Sequence, residues 1–578
     1  MSSPAPSTTA ASTSLEETVA RARRQTLGDL LHRSARRFPE RVAALEAGVD
    51  APRSRTYAEL DADADRIAAA LAARGVGPGD RVALLARNGL PYVQPIFGVA
   101  RAGAVLVPIN FMLGGGEVGY VLEHSGAVGL LAQDALLGAA EEAIEVAGAS
   151  ERLRVRAVID ADGDRDGWEP FAALLRGGSA DGTVTTAAAG TGTADDAEAT
   201  AGPGGAPAPW GEDLVIAAEA PAQVMYTSGT ESRPKGAVLS NAALIANYAT
   251  CMVDGEMQGA DVQVHALPLF HVAQQHVFLV PAIQLGMVNV ILPAPDPATV
   301  LATIEEHGAT MFFAPPTVWI GLLRHPDFDT RDLSSLRKGY YGAAIMPVEV
   351  LKELSRRRPE LRLWNFYGQT EMAPLSTVLR PEDQLRKAGS AGRAALNVEA
   401  RVAAPDGSEV PAGEIGEIVL RSPHAIHGYL DAPDRTAAAF AGGWFHSGDL
   451  GVADDEGYIT VVDRIKDMIK TGGENVASRE VEEAIYAHEA VAEVAVIGLS
   501  HPEWIECVVA VVVLRDGASV DAEALRVHCR ERLAGFKVPK AFRVIDALPK
   551  NASGKILKRD LRERFADVAD EVPGPTAG

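Results

Sequence analysis

The sequence predicts an α/β protein. A large N-terminal domain of α/β sheets carries a small β-subdomain, and a small α+β domain follows it. Three observations predict this. Helical and strand-like segments alternate through the first part of the chain, which favours a parallel sheet covered by helices. Between residues 389 and 420 short strands and turns take over, such as Pro405-Asp406-Gly407 and Pro411-Ala412-Gly413, as in a small antiparallel unit. After residue 478 a helix, two strands and a further helix follow closely, which reads as a compact α+β unit.

Taken in order, residues 1–25 are poor in anchoring apolar groups and read as a disordered tail. Leu27, Leu30 and Leu31 give residues 26–37 helical spacing. Thr56-Tyr57-Ala58-Glu59 has the form of a capping box, opening a helix that runs to Arg74. A glycine turn at 75–80 leads into a strand at 81–85. Dinucleotide-binding loops follow a strand, and this one precedes it, so it reads as a turn. A second helix is expected at 92–103 and a second strand at 104–108. Residues 177–209 are rich in Thr, Ala, Gly and Pro with too little apolar content to pack, and read as a flexible surface insertion. Strands follow at 223–226, 236–239, 310–315 and 338–344, with a helix at 241–251. The final domain is expected as a helix at 478–487, strands at 491–498 and 507–514, and a helix at 522–533. Residues after Phe565 read as a frayed tail.

Composition excludes several functions. At 578 residues the chain can enclose a large core, and 47% hydrophobic with 23% charged residues is a globular balance. A formal charge of −23 argues against nucleic acid or an anionic membrane as partner. Cys251, Cys507 and Cys529 have neither metal spacing nor the makings of a disulfide framework, so a reducing cytoplasm is expected. The start has no apolar core of a signal peptide. The most apolar stretch, 277–292, is interrupted by Pro281, Gln284, Gly286 and Asn289 and does not read as a membrane span.

The motifs point to a bound polyanion. Tyr226-Thr227-Ser228-Gly229-Thr230-Glu231-Ser232-Arg233-Pro234-Lys235-Gly236 places small hydroxyl residues, glycine and two cations between two strands. Glycine admits phosphate oxygens to backbone N–H groups, hydroxyls donate further bonds, and Arg233 and Lys235 supply charge. A Walker loop opens a helix, and this one is followed by a strand. Further on, Tyr340-Tyr341-Gly342-Ala343-Ala344 ends a strand with small residues, where open α/β sheets bind ligands. In Asn365-Phe366-Tyr367-Gly368-Gln369-Thr370-Glu371, Tyr367 offers a ring face to a base, Thr370 a hydroxyl to phosphate, and Glu371 a hard oxygen to Mg²⁺. Asp449 is an acceptor-only carboxylate suited to a pair of hydroxyls, and Arg464 a bidentate fork. His271 and His276, five apart with no carboxylate between them, make a poor zinc pair.

Taken together, these stretches closely resemble the adenylate-forming superfamily, which includes acyl-CoA synthetases, peptide-synthetase adenylation domains and luciferases. The resemblance spans about residues 26–565, with the motifs in the family's order. The chain departs from the usual wording at Glu231-Ser232, which adds a negative charge beside the phosphate loop. The resemblance implies an ATP- and AMP-binding set of Thr227, Ser228, Gly229, Thr230, Lys235, Gly342, Ala343, Ala344, Asn365, Tyr367, Gly368, Gln369, Thr370, Asp449, Arg464 and Lys555. Within it, Lys555, Thr230, Glu371 and Arg464 would be catalytic, and Glu371 with Thr230 would hold Mg²⁺. It implies an acyl pocket at His271, Trp319, Tyr341 and Gly342, and a coenzyme A tunnel at Gly472, Gly473 and Glu474. A large AMP-binding domain at 26–462, a hinge at 463–467 with Lys466 as pivot, and a mobile C-terminal domain at 468–565 complete the expectation. The implied reaction is ATP-dependent activation of a carboxylic acid, expected to be a medium- or long-chain fatty acid, through an acyl-adenylate with transfer to coenzyme A. A ligase loading a separate carrier protein and a non-catalytic acyl-binding protein are the alternatives, with a luciferase-like oxygenase further off. Neither nucleic acid nor an integral membrane segment is expected. Oligomeric state is left open, a homodimer included.

Overall fold

The computed structural model describes residues 15–176, 214–227, 233–344, 346–472, 474–550 and 556–572. The expected insertion at 177–209 lies outside them. The chain divides into two compact units, one of residues 1–43, 55–224 and 238–245, the other of residues 44–54, 225–237 and 246–578.

In the first unit, helices begin where side chains can satisfy loose backbone N–H groups. The Thr26 hydroxyl accepts from the Asp29 N–H at 3.2 Å, and the Asp29 carboxylate accepts from the Thr26 N–H at 2.9 Å, which opens the helix Leu27–Arg37. Thr56 and Glu59 form the predicted box in the same way, at 3.2 and 2.8 Å, ahead of the helix Tyr57–Ala73. The helix Leu90–Arg101 begins two residues before the expected Tyr92, because Pro91 suits a first turn whose N–H groups are unpaired in any case. Arg101 is buried there and is matched by Asp65 at 2.7 Å and by Asp61. The strands run parallel in the order Pro221–Thr227, Val105–Pro108, Arg81–Leu85, Gly129–Gln133, Val155–Ile159, Glu169–Pro170. A helix Leu15–Ala22 replaces part of the expected disordered tail. Its Leu, Glu, Ala and Arg residues favour helix even without burial.

The second unit is built on a mostly parallel sheet. Its order is Arg393–Ala394, Leu375–Leu379, Arg362–Gly368, Lys338–Gly342, Met311–Phe313, Val262–His265, Val288–Ile291, with residues 44–46 beyond. The pairings at Leu375–Leu379 are antiparallel and those among the central strands parallel. An aromatic stack fills the layer beside the central strands. Phe278 lies on Phe313 with ring centroids 4.4 Å apart, and Tyr340 on Trp364 at 5.1 Å. Glu399–Ala403, Ile415–Arg421, Phe445–Ala453 and Ile459–Arg464 form the predicted antiparallel β-subdomain. Beyond it, Val491–His501 pairs with Ile505–Leu514, and the helices Ser478–Tyr486 and Ala522–Arg530 cover them.

The chain after Phe565 corrects the expected frayed end. Ala566–Glu571 forms a short 3₁₀ helix, Val568 and Val572 are buried, and the Val572 carbonyl bonds the His501 ring nitrogen at 2.9 Å. Two valines four residues apart suffice to seat this segment on the outer face of the terminal sheet. All three cysteines are free and buried. No helix among the described residues is long and apolar enough to cross a membrane.

The Thr56 box gives a direct test. Thr56→Ala should cost about 1 kcal/mol of stability, seen as a lower melting temperature with the same far-ultraviolet spectrum. An unshifted melting curve would remove the box from the account of how this helix starts.

Candidate active site

The candidate site gathers around a buried carboxylate. Asp449 lies on the strand Phe445–Ala453 and is 4% exposed. An ion there needs donors, and three side chains supply them. The Tyr367 hydroxyl donates to Oδ2 at 2.7 Å and Gln369 Nε2 donates to the same oxygen at 2.8 Å. Arg464 Nε stands 3.2 Å from Oδ1, across the ladder that pairs the two residues. Gln369 Nε2 also donates to the Ser447 carbonyl at 3.0 Å. Burial first, then the Asp449 charge, lifts the Tyr367 phenol well above its usual range, so it remains a donor.

A second group forms at Glu371, on the 3₁₀ turn Thr370–Met372. The Tyr429 hydroxyl donates to Glu371 Oε1 at 2.9 Å, and Lys235 Nζ sits 5.2 Å from the centre of the Tyr429 ring. The Ile426 N–H donates to the Glu371 carbonyl at 2.9 Å, and the Leu430 N–H to the Gly236 carbonyl at 2.8 Å. Burial, then Glu371, pushes the Tyr429 phenol upward. Sequence reasoning missed Tyr429. It lies in a segment with neither periodicity nor motif, and only the fold brings it between Lys235 and Glu371. No three His, Cys, Asp or Glu side chains among the described residues gather as a protein-only metal cage. One hard carboxylate beside a polyphosphate is the donor set Mg²⁺ takes, so Glu371 fits that role.

The small residues have steric reasons. A Cβ on Gly342 would strike the Phe366 carbonyl, and one on Gly368 the Pro374 carbonyl. Ala343 follows Gly342 in the left-handed region at φ 63°, a strained conformation of the kind that clusters at binding sites. Ala343 also lines a small apolar cleft with Leu267, Pro268, His271, Ala273, Gln274, Phe313 and Pro315. His271 is one of these lining residues, its Nδ1 accepting from the Ala273 N–H at 3.3 Å.

Three expected site residues are engaged in packing or in structural hydrogen bonds. Trp319 is 0% exposed, with its Nε1 donating to the Tyr340 carbonyl at 3.0 Å, edge-on to Phe312. Tyr341 is buried and donates to Gln384 Oε1 at 2.6 Å. Neither lines the cleft, because both belong to the core packed behind the sheet. Asn365 is buried, with its amide donating to the Ser390 carbonyl at 3.0 Å, which uses that group structurally.

Thr227 ends its strand and Lys235 begins the next. Ser228, Gly229 and Thr230 lie outside the described residues, as do Gly473 and Lys555. Thr370 and Ala344 flank the groups described above in sequence. Lys466 is exposed in the turn after the strand Ile459–Arg464. In the terminal region, Gly472 takes φ 58°, its N–H donates to the Trp504 carbonyl at 2.9 Å, and a Cβ would press on the Trp504 ring at 3.2 Å. Glu474 is exposed and pairs with Thr471. Asp463 accepts from the Ser478 N–H and hydroxyl at 2.6 and 2.8 Å, and Lys558 donates to that hydroxyl at 2.6 Å.

Residues 31–430 match the AMP-binding enzyme family and residues 480–555 match the AMP-binding enzyme C-terminal domain. A feruloyl-CoA synthase from an Amycolatopsis species is 37% identical over 545 residues, covering 94% of this chain and 100% of that protein. A long-chain-fatty-acid–CoA ligase of Mycobacterium tuberculosis is 33% identical, covering 93% and 98%. The crystal structure of an anthranilate CoA ligase in complex with anthranoyl-AMP superposes with a TM-score of 0.81 at 26% identity, covering 95% of this chain and 98% of that one.

Three buried histidines set a pH dependence. Burial lowers His265 and His424 from 6.5 to about 4 and His276 to about 3. The folded chain keeps them neutral while the unfolded chain protonates them near 6.5. The unfolded state thus binds more protons between about pH 6.5 and about pH 4, and stability falls as pH drops through that window. The melting temperature should fall from pH 7 to pH 5, and less steeply in His276→Gln. An identical slope in that variant would exclude His276 as a contributor.

Proposed function

Since the chain belongs to the AMP-binding enzyme family and is an ATP-dependent, AMP-forming acid–CoA ligase, we propose that its acid is a compact aromatic carboxylic acid, converted through an acyl-adenylate to the CoA thioester. The observation that carries this is the cleft beside Ala343. It is small, and its lining is mostly apolar with Phe313 in the wall. The 37% likeness to a feruloyl-CoA synthase supports it. A medium- or long-chain fatty acid is the second reading, supported by the 33% likeness to a long-chain ligase.

The chemistry follows from charge. The acid is already ionised at neutral pH, so no general base is needed. Its carboxylate attacks the α-phosphorus of ATP and pyrophosphate leaves. An anion approaches an anion, so catalysis consists of supplying cations and donors where charge gathers. Lys235, held over Tyr429, supplies one positive charge beside Glu371. Mg²⁺, when held by Glu371 with Thr230, neutralises phosphate charge. In this reading Asp449 accepts the ribose hydroxyls while Arg464 compensates its charge, Tyr367 presents its ring to adenine, and Lys555 reaches the α-phosphate. The thiol of coenzyme A then displaces AMP along a path by Gly472, Gly473 and Glu474, after rotation at Lys466.

Two outcomes follow. Asp449→Ala should raise the KM for ATP by roughly tenfold or more, because a buried charge-assisted acceptor is lost and Arg464 is left unpaired; an unchanged KM would remove Asp449 from the nucleotide site. Thioester formation over a panel from acetate through cinnamate to palmitate should give an arylalkenoic acid a kcat/KM roughly tenfold or more above palmitate. The reverse order would install the fatty-acid reading instead.

A further inference from the structure

Tyr429 touches two residues of opposite charge at once. Its hydroxyl donates to Glu371 Oε1 at 2.9 Å, and Lys235 Nζ sits 5.2 Å from the centre of its ring. A phenol can do both, because its ring face attracts a cation while its O–H donates to an anion. Among the described residues no ion pair joins Lys235 to Glu371, and each reaches Tyr429 instead. A direct pair would occupy a carboxylate oxygen that a metal needs and a charge that phosphate needs.

The backbone places Tyr429 without help from its hydroxyl. The Ile426 N–H donates to the Glu371 carbonyl at 2.9 Å and the Leu430 N–H to the Gly236 carbonyl at 2.8 Å, so the segment is fastened on both sides of the residue. The Tyr429 N–H donates to Thr436 Oγ1 at 2.9 Å, and that hydroxyl donates to the Ala432 carbonyl at 2.9 Å. Gly428 takes φ 146°, and a Cβ there would come within 2.7 Å of Thr436 Cγ2, so only glycine lets the chain lie this close to Thr436. The phenol is therefore not what holds the segment, and its acceptor shows its use. Carboxylates that ligate a metal are themselves held by outer hydrogen bonds. With Oε1 taken by Tyr429, Oε2 is the Glu371 oxygen with no donor among the described residues, and a hard cation can take it.

We propose that Tyr429 is a positioning residue for nucleotide activation, its hydroxyl fixing Glu371 so that Oε2 is presented to the divalent cation that accompanies ATP. This rests on the reading of Glu371 as the Mg²⁺ carboxylate. Tyr429 acts through Glu371 and does not act on the substrate. The effect belongs to the hydroxyl alone, because a phenyl ring at the same place still offers its face to Lys235.

The test measures ATP binding by calorimetry in the absence of acid and coenzyme A, once in EDTA and once with Mn²⁺ as the probe metal. Tyr429→Phe keeps the ring, the backbone bonds and the contact with Lys235, and removes the hydroxyl. It should bind ATP in EDTA as the wild type does, and bind ATP with Mn²⁺ roughly tenfold or more weaker than the wild type. Glu371→Gln, measured alongside, reports on the carboxylate itself and should weaken Mn²⁺-dependent binding at least as much. Equal weakening of Tyr429→Phe in EDTA and in Mn²⁺ marks a tyrosine that only braces the fold and overturns the proposal. Wild-type binding by Tyr429→Phe under both conditions, with Glu371→Gln weakened in Mn²⁺, overturns the Tyr429 assignment and leaves Glu371 as the metal carboxylate. Wild-type binding by Glu371→Gln in Mn²⁺ overturns the Glu371 reading and the proposal with it.

Discussion

The site depends on supplying donors to one carboxylate where water barely reaches it. An unpaired charge at Asp449 would cost several kcal/mol, so its surroundings must supply donors from every side. Tyr367 and Gln369 come from the end of a strand in the large mixed sheet, and Arg464 from the neighbouring strand of the antiparallel subdomain. A carboxylate accepts only, which explains why a phenol, an amide and a guanidinium surround it and a second acid does not. The same bonds tie the two sheets together at the point where the ladder between Leu450 and Gly451 shifts register. Binding geometry and sheet packing are thus one arrangement.

How far the sequence could be read depended on what kind of residue was in question. Asp449, Tyr367, Gln369 and Arg464 stand on or beside paired strands, where motif position and spatial position coincide, and the fold brings all four together. Trp319 and Tyr341 do not. Tyr341 lies on a central parallel strand with both faces covered, so alternation along the chain does not tell which side it enters. Trp319 begins as a plausible pocket wall and ends in the core because its indole N–H finds the Tyr340 carbonyl. The segment after Phe565 was misread for a related reason. Its composition is polar, and the two valines that seat it are visible only once the sheet they cover is known.

The run from His271 to His276 shows a different limit. As a sequence it raises the question of metal, since histidines are its most reactive members. In the fold His276 meets Tyr248 at 2.7 Å and stacks on its ring, a core histidine held neutral by burial. The run's more constrained residue is Gln274: its Nε2 donates to His265 Nδ1 at 2.6 Å, His265 Nε2 to Asn289 Oδ1 at 2.8 Å, and Asn289 Nδ2 to the Met287 carbonyl at 3.3 Å.

A row of hydrogen bonds carries direction only while each link has one way to lie. His265 is the weak link, because a protonated imidazole donates from both nitrogens and would no longer accept from Gln274. Gln274 would then gain by turning its oxygen to the ring and its NH₂ away from it. Burial prevents this by lowering His265 to about 4, so the ring stays neutral at ordinary pH. The absence of solvent that makes the unpaired Gln274 oxygen costly is therefore also what fixes its orientation. One physical cause, desolvation, both creates the demand for a donor and keeps that demand constant.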